Sequence, residues 1–370
     1  MRFAKPLWGL FPYTGASVLS EAAIPTPLFY KEGETMMKKK FLALLLAGLM
    51  ALSLAACGGN TADTSDTEDA AQTDDTGDAS YLVGVCQLAP HDALDAATKG
   101  FKDKLTELLG DAVEFTEGNA GGDSNNCITI IDGFLSEGVD LILANATASL
   151  TSAASATDSI PILGTAITNY GVALNLDSTE DGVLGGNISG TSDLAPLDQQ
   201  AALLQELFPD AENVGLLYCS AEPNSIFQVE TIQGYLEEMG YTCTQYAFTD
   251  VNDLASVTQT ACDNSDVIYI PTDNTAANNT ETIANVVIPA GVPVVAGESG
   301  ICSGCGVATL SIDYYELGQI TGEMAAKILT GEESVSEMAI AYDTTLSKLY
   351  NPANCEALGI TPPEDYEALA

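Results

Sequence analysis

Cations are what this chain lacks. Of its 370 residues, 11 are Lys or Arg against 52 Asp or Glu, a formal net charge of −41 at pH 7. Six of the eleven (Arg2, Lys5, Lys31, Lys38, Lys39 and Lys40) fall in the first 40 positions, so from Gly58 onward five Lys and no Arg face 49 acids. Such a surface has no basic patch with which to release counterions from a nucleic acid, and anionic lipid head groups repel it. DNA, RNA and peripheral membrane partners are therefore excluded. A guanidinium clamp for an anion is missing as well. His91 is the one histidine, too little for a Ser-His-Asp triad. The loop after the first apolar segment, Gln87-Leu88-Ala89-Pro90-His91, is no Gly-rich phosphate cradle.

What is present begins with an address. Met36-Met37-Lys38-Lys39-Lys40 is a basic start, and the apolar stretch at 41–54 is too short for a bilayer-spanning helix but right for the apolar region of a signal peptide. Leu54-Ala55-Ala56-Cys57 resembles the bacterial lipobox, in which the cysteine is lipidated and becomes the mature N-terminus. A plain signal peptide is the alternative. Residues 36–56 thus read as a lipoprotein signal peptide, Cys57 as the lipid-bearing residue, and residues 1–35 as a spurious upstream extension. Residues 57–80 are acidic and poor in large apolar side chains, so they read as a disordered tether. The body that follows is expected on the extracytoplasmic face of the cell membrane, held there only by its lipid.

From residue 81 the texture is strand then amphipathic helix, repeated. Apolar strands are predicted at 81–87, 113–116, 140–144 and 161–167, with helices at 93–109, 123–136 and 147–157 between them. After Leu194-Ala195-Pro196 the pattern restarts, with helices at 197–207, 223–239, 253–262 and 274–288 and strands at 214–219, 241–248, 266–270 and 292–296. Near-continuous apolar strands alternating with helices indicate parallel sheets covered on both faces. The expected fold is α/β: two doubly wound parallel-sheet lobes joined by a hinge, one built from 81–194 plus about 299–335 and the other from 195–298 plus about 336–370.

Ligands of such sheets sit where strands end and helices begin. The loops there are polar: 87–91, 119–123, 145–147, 165–169, 220–225, 271–274 and 297–300. Helix N-termini among them can hold a carboxylate without any cation. Asp273 can take an ammonium or merely cap the helix beginning at Asn274. Asn224 and Ser225, just after Pro223, can hold a carboxylate or serve as caps, and the same pair of readings applies to Thr147. Gln87 either touches ligand or closes a turn, and Glu298 is a contact, hinge or rim residue. Tyr170 either walls an aromatic ring or packs on the rim. For His91 a capping or packing role is the default.

Eight cysteines follow Cys57. Outside the cytoplasm they permit up to four disulfides, although Cys86 and Cys219 end inner strands and read as buried small hydrophobes. Cys302-Ser303-Gly304-Cys305 has redox or zinc spacing, but it lies in a Gly-rich loop with no second close pair. A local disulfide or spectator thiols are favoured, and neither metal nor cofactor is expected.

In order along the chain, Gln87 to Asp95, Asn119-Ala120, Asp140 to Ala144 with Ala146-Thr147, Gly190-Thr191-Ser192-Asp193-Leu194, Ala221-Glu222-Pro223-Asn224-Ser225, Tyr269 to Asn274, Gly297-Glu298-Ser299-Gly300 and Ile312 to Gly318 resemble the ABC-transporter substrate-binding family that includes tryptophan and tyrosine transport lipoproteins. The resemblance covers nearly all of the chain after the signal. It implies a type I periplasmic-binding fold that closes over a small molecule, an aromatic amino acid by preference, and delivers it to a membrane permease. A monomer without catalysis is expected, and the candidate ligand set is Gln87, Asn145, Thr147, Asp193, Asn224, Ser225, Asp273, Asn274 and Glu298. A nucleoside- or sugar-binding protein of the same fold and a ligand-sensing module for a receptor are the alternatives. A hydrolase with Asp273 or Glu298 as general base is the reading from a different class.

Overall fold

The computed structural model describes residues 80–176 and 182–369. The signal peptide, Cys57 and the acidic tether read from the sequence lie outside the described residues.

The first half alternates β1 (Tyr81–Gln87), α1 (Asp92–Leu109), β2 (Val113–Asn119), α2 (Ser124–Glu137), β3 (Leu141–Asn145), α3 (Thr147–Ala156), β4 (Ile162–Thr165), α4 (Tyr170–Leu174) and β5 (Ile188–Ser192). The second repeats the scheme with α5 (Leu197–Leu207), β6 (Asn213–Cys219), α6 (Pro223–Glu238), β7 (Thr242–Phe248), α7 (Val251–Cys262), β8 (Val267–Ile270), α8 (Asn274–Ala277), α9 (Thr280–Ala290), β9 (Val294–Ala296), α10 (Ser299–Gly304) and β10 (Ala308–Ser311). The chain ends with α11 (Tyr314–Leu329), β11 (Ala341–Tyr342), β12 (Ser347–Tyr350), α12 (Pro352–Leu358) and β13 (Glu367–Ala368). The predicted helix over 274–288 is two helices, α8 and α9, parted at Asn278-Asn279.

Two sheets result, in the orders β11-β5-β4-β3-β1-β2 and β13-β12-β10-β9-β8-β6-β7. Each contains the same nucleus, a first strand flanked by the second and third, with every pairing inside it parallel. The strand order reverses beside β1 in one sheet and beside β6 in the other, and a ligand crevice forms at such a reversal. The two-lobed α/β architecture expected from the alternation is the one observed.

The expected lobe boundaries differ from the strand pairing. Residues 299–335 are expected in the first lobe, and α11 does pack there on α1, but β10 pairs with β9 and β12 in the second sheet, and Ile301 and Cys302 of α10 are buried in the second lobe's core. Residues 336–370 are expected in the second, where β12 and β13 do pair, but β11 pairs with β5 in the first. The chain therefore crosses between lobes at 193–196, 312–313 and 343–346. Sequence order cannot reveal this, because strands of two to four residues are placed by the partners they pair with, β10 inside its sheet and β11 at an edge. The crossings touch: the Asp313 N–H donates to Asp343 Oδ2 at 3.0 Å, and Leu346 packs on the cores of both lobes.

What keeps α11 on the first lobe is a close helix contact. A Cβ on Gly318 would stand 2.1 Å from the Ala97 carbonyl oxygen of α1, and one on Gly100 would stand 2.0 Å from that of Tyr315. Only glycine permits backbones to approach this closely.

Candidate functional site

Between the carboxyl ends of their strands the lobes close on a small cavity of about 10 Å³, room for a single water. The first lobe contributes the start of α1 (His91, Ala93, Leu94), the loop after β4 (Ala166, Thr168) and Tyr314 from the head of α11. The second contributes Asn224, Thr272, Asp273, Asn274, Ala277 and Glu298, and the first crossing adds Asp193. Thr168 and Thr272 bring their hydroxyls to 3.5 Å across the seam, and His91 Nε2 meets Asn274 Oδ1 at 3.3 Å.

The helix ends nearest the cavity differ in how they are capped. In the second lobe carboxylates occupy the heads of α8 and α10, whereas α6 has no side-chain cap. Asp273 Oδ1 accepts the Ala276 N–H at 2.8 Å and its Oδ2 accepts the Cys219 N–H at 2.7 Å. Glu222 Oε1 accepts the Thr275 N–H at 2.8 Å and its Oε2 the Asn274 N–H at 3.0 Å. Glu298 accepts the N–H groups of Gly300 and Ile301 at the head of α10. In the first lobe, α1 follows His91 and α3 follows Ala146, and neither has a side-chain cap. Those first-turn N–H groups stay free for an outside acceptor.

Three carboxyls around the cavity titrate high. Burial pushes Asp193 up to about 6. Burial, reinforced by the neighbouring Glu222 carboxylate, pushes Asp273 up to about 7. Burial does the same to Glu298, again to about 7, against the two backbone N–H groups that stabilise its charge. No Lys or Arg lines the cavity to offset them. Of the three, Asp193 alone has an idle oxygen: Oδ2 accepts the Tyr314 hydroxyl at 3.1 Å, while buried Oδ1 has no well-aligned partner, although the Thr168 hydroxyl lies close enough to the carboxylate to favour its charge. An anionic oxygen in that state is costly unless a cation meets it.

Five of the nine sequence-derived positions therefore converge: Asp193, Asn224, Asp273, Asn274 and Glu298 line one cavity. Ser225 is fully buried beside Asn224, whose amide donates to the Ser225 hydroxyl at 3.3 Å and to the Thr272 carbonyl at 3.0 Å. The remaining three lie outside the lining. Gln87 is tied into α1, donating to Asp95 Oδ1 at 2.6 Å and accepting from Thr98 at the same distance. Asn145 donates to the Leu94 carbonyl and to Thr98, both at 2.9 Å. Thr147 is buried at the head of α3. Tyr170 is neither wall nor rim: its hydroxyl donates to the carbonyls of Gly164 and Thr191 inside the first lobe. Tyr314 and Thr272 were not singled out from sequence. Polar residues flanking a strand end, as in Tyr269-Ile270-Pro271-Thr272, and an aromatic just after Asp313 are the signals that point to them.

Residues 82–370 match the family described as ABC transporter substrate binding protein. The chain belongs to that family. It is a substrate-binding protein and not an enzyme, with the type I periplasmic-binding fold. It is 32% identical over 314 residues to the tyrosine-binding protein of Clostridioides difficile (strain R20291), a match covering 84% of this chain and 88% of that one. Among solved structures it resembles the ABC domain from Streptococcus pneumonia in complex with L-Trp (31% identity, TM-score 0.74, 78% of this chain and 100% of that chain). It also resembles the ligand-free, open form of a substrate binding protein with adhesive properties from Clostridium difficile (33% identity, TM-score 0.61, 78% and 99%). At like identity and coverage the fit is better to the L-Trp complex than to the open form, in keeping with the contacts across the seam.

The cysteines of this binding protein form no disulfide among the described residues: all eight after Cys57 have free thiols, and seven of them are buried. Cys302 lies within α10 and Cys305 just past its end, at 0% and 1% exposure, where burial drives both thiols far up. An inert, protonated pair in a core does not serve redox exchange. No helix among the described residues is long and apolar enough to cross a membrane.

Proposed function

We propose that this substrate-binding protein captures an amino acid, preferentially an aromatic one, in the interlobe cavity and hands it to an ABC permease. The observation that carries the reading is the buried, unpartnered Oδ1 of Asp193 in a cavity without cations: it asks for an ammonium. The hydroxyls of Thr168 and Thr272, one from each lobe, are donors for the ligand carboxylate, and a carboxylate bridging them favours the closed lobes. Free N–H groups at the head of α1 add positive potential without a charged side chain. Ala93, Leu94, Ala166 and Ala277 are the apolar part of the lining, against which a ring packs once the lobes part to admit it. Asn224, Asn274 and Glu298 complete the wall, and Asp273 with Glu222 holds its second-lobe side in shape. The relatives support the aromatic preference, one being named for tyrosine and another solved with L-Trp.

Ligand contacts made only in the closed form shift the hinge equilibrium by the ligand's differential affinity. The lipobox-like segment ending at Cys57 supports attachment to the outer face of the cytoplasmic membrane by lipid, where the permease resides. Thermal melts of residues 81–370 against the twenty amino acids, nucleosides and common sugars test the assignment, since a saturating ligand raises stability by RT ln(1+[L]/Kd). A shift confined to Trp, Tyr or Phe is the expected result. A shift with nucleosides or sugars alone contradicts it.

A further inference from the structure

The cavity has an inner and an outer end. Asp193, Tyr314 and Glu298 line it and no neighbouring depression, whereas His91 also lines the solvent-facing depression that holds Pro90, Asp92 and Ser303. Asn274 likewise lines a second interlobe depression. The His91–Asn274 contact thus stands at the mouth, away from the ammonium acceptor.

The protonation of His91 follows from its neighbours. It is the N-cap residue of an 18-residue helix, whose positive end disfavours an imidazolium. Burial holds the ring below its ordinary pKa, although the carboxylates of Glu222, Asp95 and Asp92 pull the other way. A neutral ring carries one proton, and Asn274 decides where. Its Nδ2 donates to Glu222 Oε2 at 2.8 Å, which turns its Oδ1 toward His91 Nε2 at 3.3 Å. A carbonyl oxygen only accepts, so Nε2 bears the hydrogen and Nδ1 is an acceptor. Nδ1 is buried and has no partner.

We infer that His91 Nδ1 accepts a hydrogen bond from the side chain of the bound amino acid, which makes His91 the residue that selects a phenol or an indole over a plain phenyl ring. This rests on the amino-acid reading above. With the ammonium at Asp193, the side chain is the part of the ligand that extends along Ala93, Leu94 and Ala277 toward the mouth. A site built around a buried acceptor rejects the analogue that lacks the donor, because the acceptor is then left dry and unpaired.

Titration calorimetry with matched ligands tests this: Tyr against Phe, and Trp against its benzothienyl isostere, which replaces the indole N–H by sulfur. The wild-type chain is expected to favour the donor-bearing member of at least one pair by about tenfold or more. His91→Gln places an amide nitrogen where Nε2 was and nothing where Nδ1 was. It is expected to bring the ratio close to one without lowering the melting temperature. His91→Asn places a polar atom at the Nδ1 position and is expected to retain the preference. A wild-type ratio near one in both pairs overturns the inference, as does a His91→Gln variant that keeps the full ratio. Equal binding of all four leaves the amino-acid reading intact and removes only this role of His91. Binding of none sinks that reading and this inference with it.

Discussion

Tyr314 donates its phenol hydrogen to Asp193 Oδ2 at 3.1 Å, and the opposite oxygen of the same carboxylate is buried without a partner. One protein donor thus orients an acid whose remaining valence faces the cavity. Asp193→Asn removes the charge and keeps the shape. It is expected to weaken amino-acid binding by at least about tenfold, or about 1.4 kcal/mol, while the ligand-free protein melts at or above the wild-type temperature. Unchanged affinity in calorimetry removes Asp193 from the site.

Asp273 is expected to behave in the opposite way. Both of its oxygens accept backbone N–H groups, at Ala276 and Cys219, so Asp273→Ala takes away the α8 cap and strands a buried donor. The expected loss is about 1–3 kcal/mol of folding stability, read from the denaturant midpoint. A variant with full stability and impaired binding makes Asp273 a direct contact instead.

The acids around the cavity give stability and affinity opposite pH trends. Asp193, Asp273 and Glu298 titrate near 6, 7 and 7 in the fold against ordinary values of 3.8, 3.8 and 4.5. The folded state therefore holds more protons than the unfolded one between about pH 4 and 7, and stability falls as pH rises through that window. His91, held low by burial, opposes this as one group against three. The ligand-free protein is expected to melt higher at pH 5 than at pH 8, whereas amino-acid affinity drops on acidification through about 6 as Asp193 is neutralised. Parallel trends in the two measurements contradict the assignment of the ammonium to Asp193.

The sequence revealed more of the sheets than of the crossings between them. Apolar runs such as Leu141 to Asn145 and Val267 to Ile270, each followed by a polar loop, mark buried parallel strands and the ends where a ligand binds. That is why Asp193, Asn224, Asp273, Asn274 and Glu298 were found together. The lobe membership of β10 and β11 was hidden because each is four residues or shorter, β10 inserted between β9 and β12 and β11 added at the edge beside β5, so pairing partners rather than its own pattern place it. Gln87 and Asn145 sit at strand ends like true cavity residues, but Thr98 and Leu94 of α1 engage their amides. Such a partner more than two turns of chain away leaves no local signal. The orphan atoms of Asp193 and His91 are likewise properties of the assembled cavity.

The thiols offer a chemical check on the fold. Cys243 is the one partly exposed cysteine among the eight described. Brief alkylation of the native protein is expected to label Cys243 first, and alkylation after unfolding without reductant is expected to label all eight. Any pair that stays protected after unfolding is a disulfide, contrary to the thiol state found here.

The central claim is that the cavity reads the ammonium of an amino acid. Calorimetric titration at pH 7.5 with L-Trp, L-Tyr and the deaminated indole-3-propionate tests it most directly. The account predicts that L-Trp or L-Tyr binds and that indole-3-propionate binds at least about thirtyfold more weakly, the consequence of leaving a buried charge unpaired. Equal affinity for the deaminated acid contradicts it.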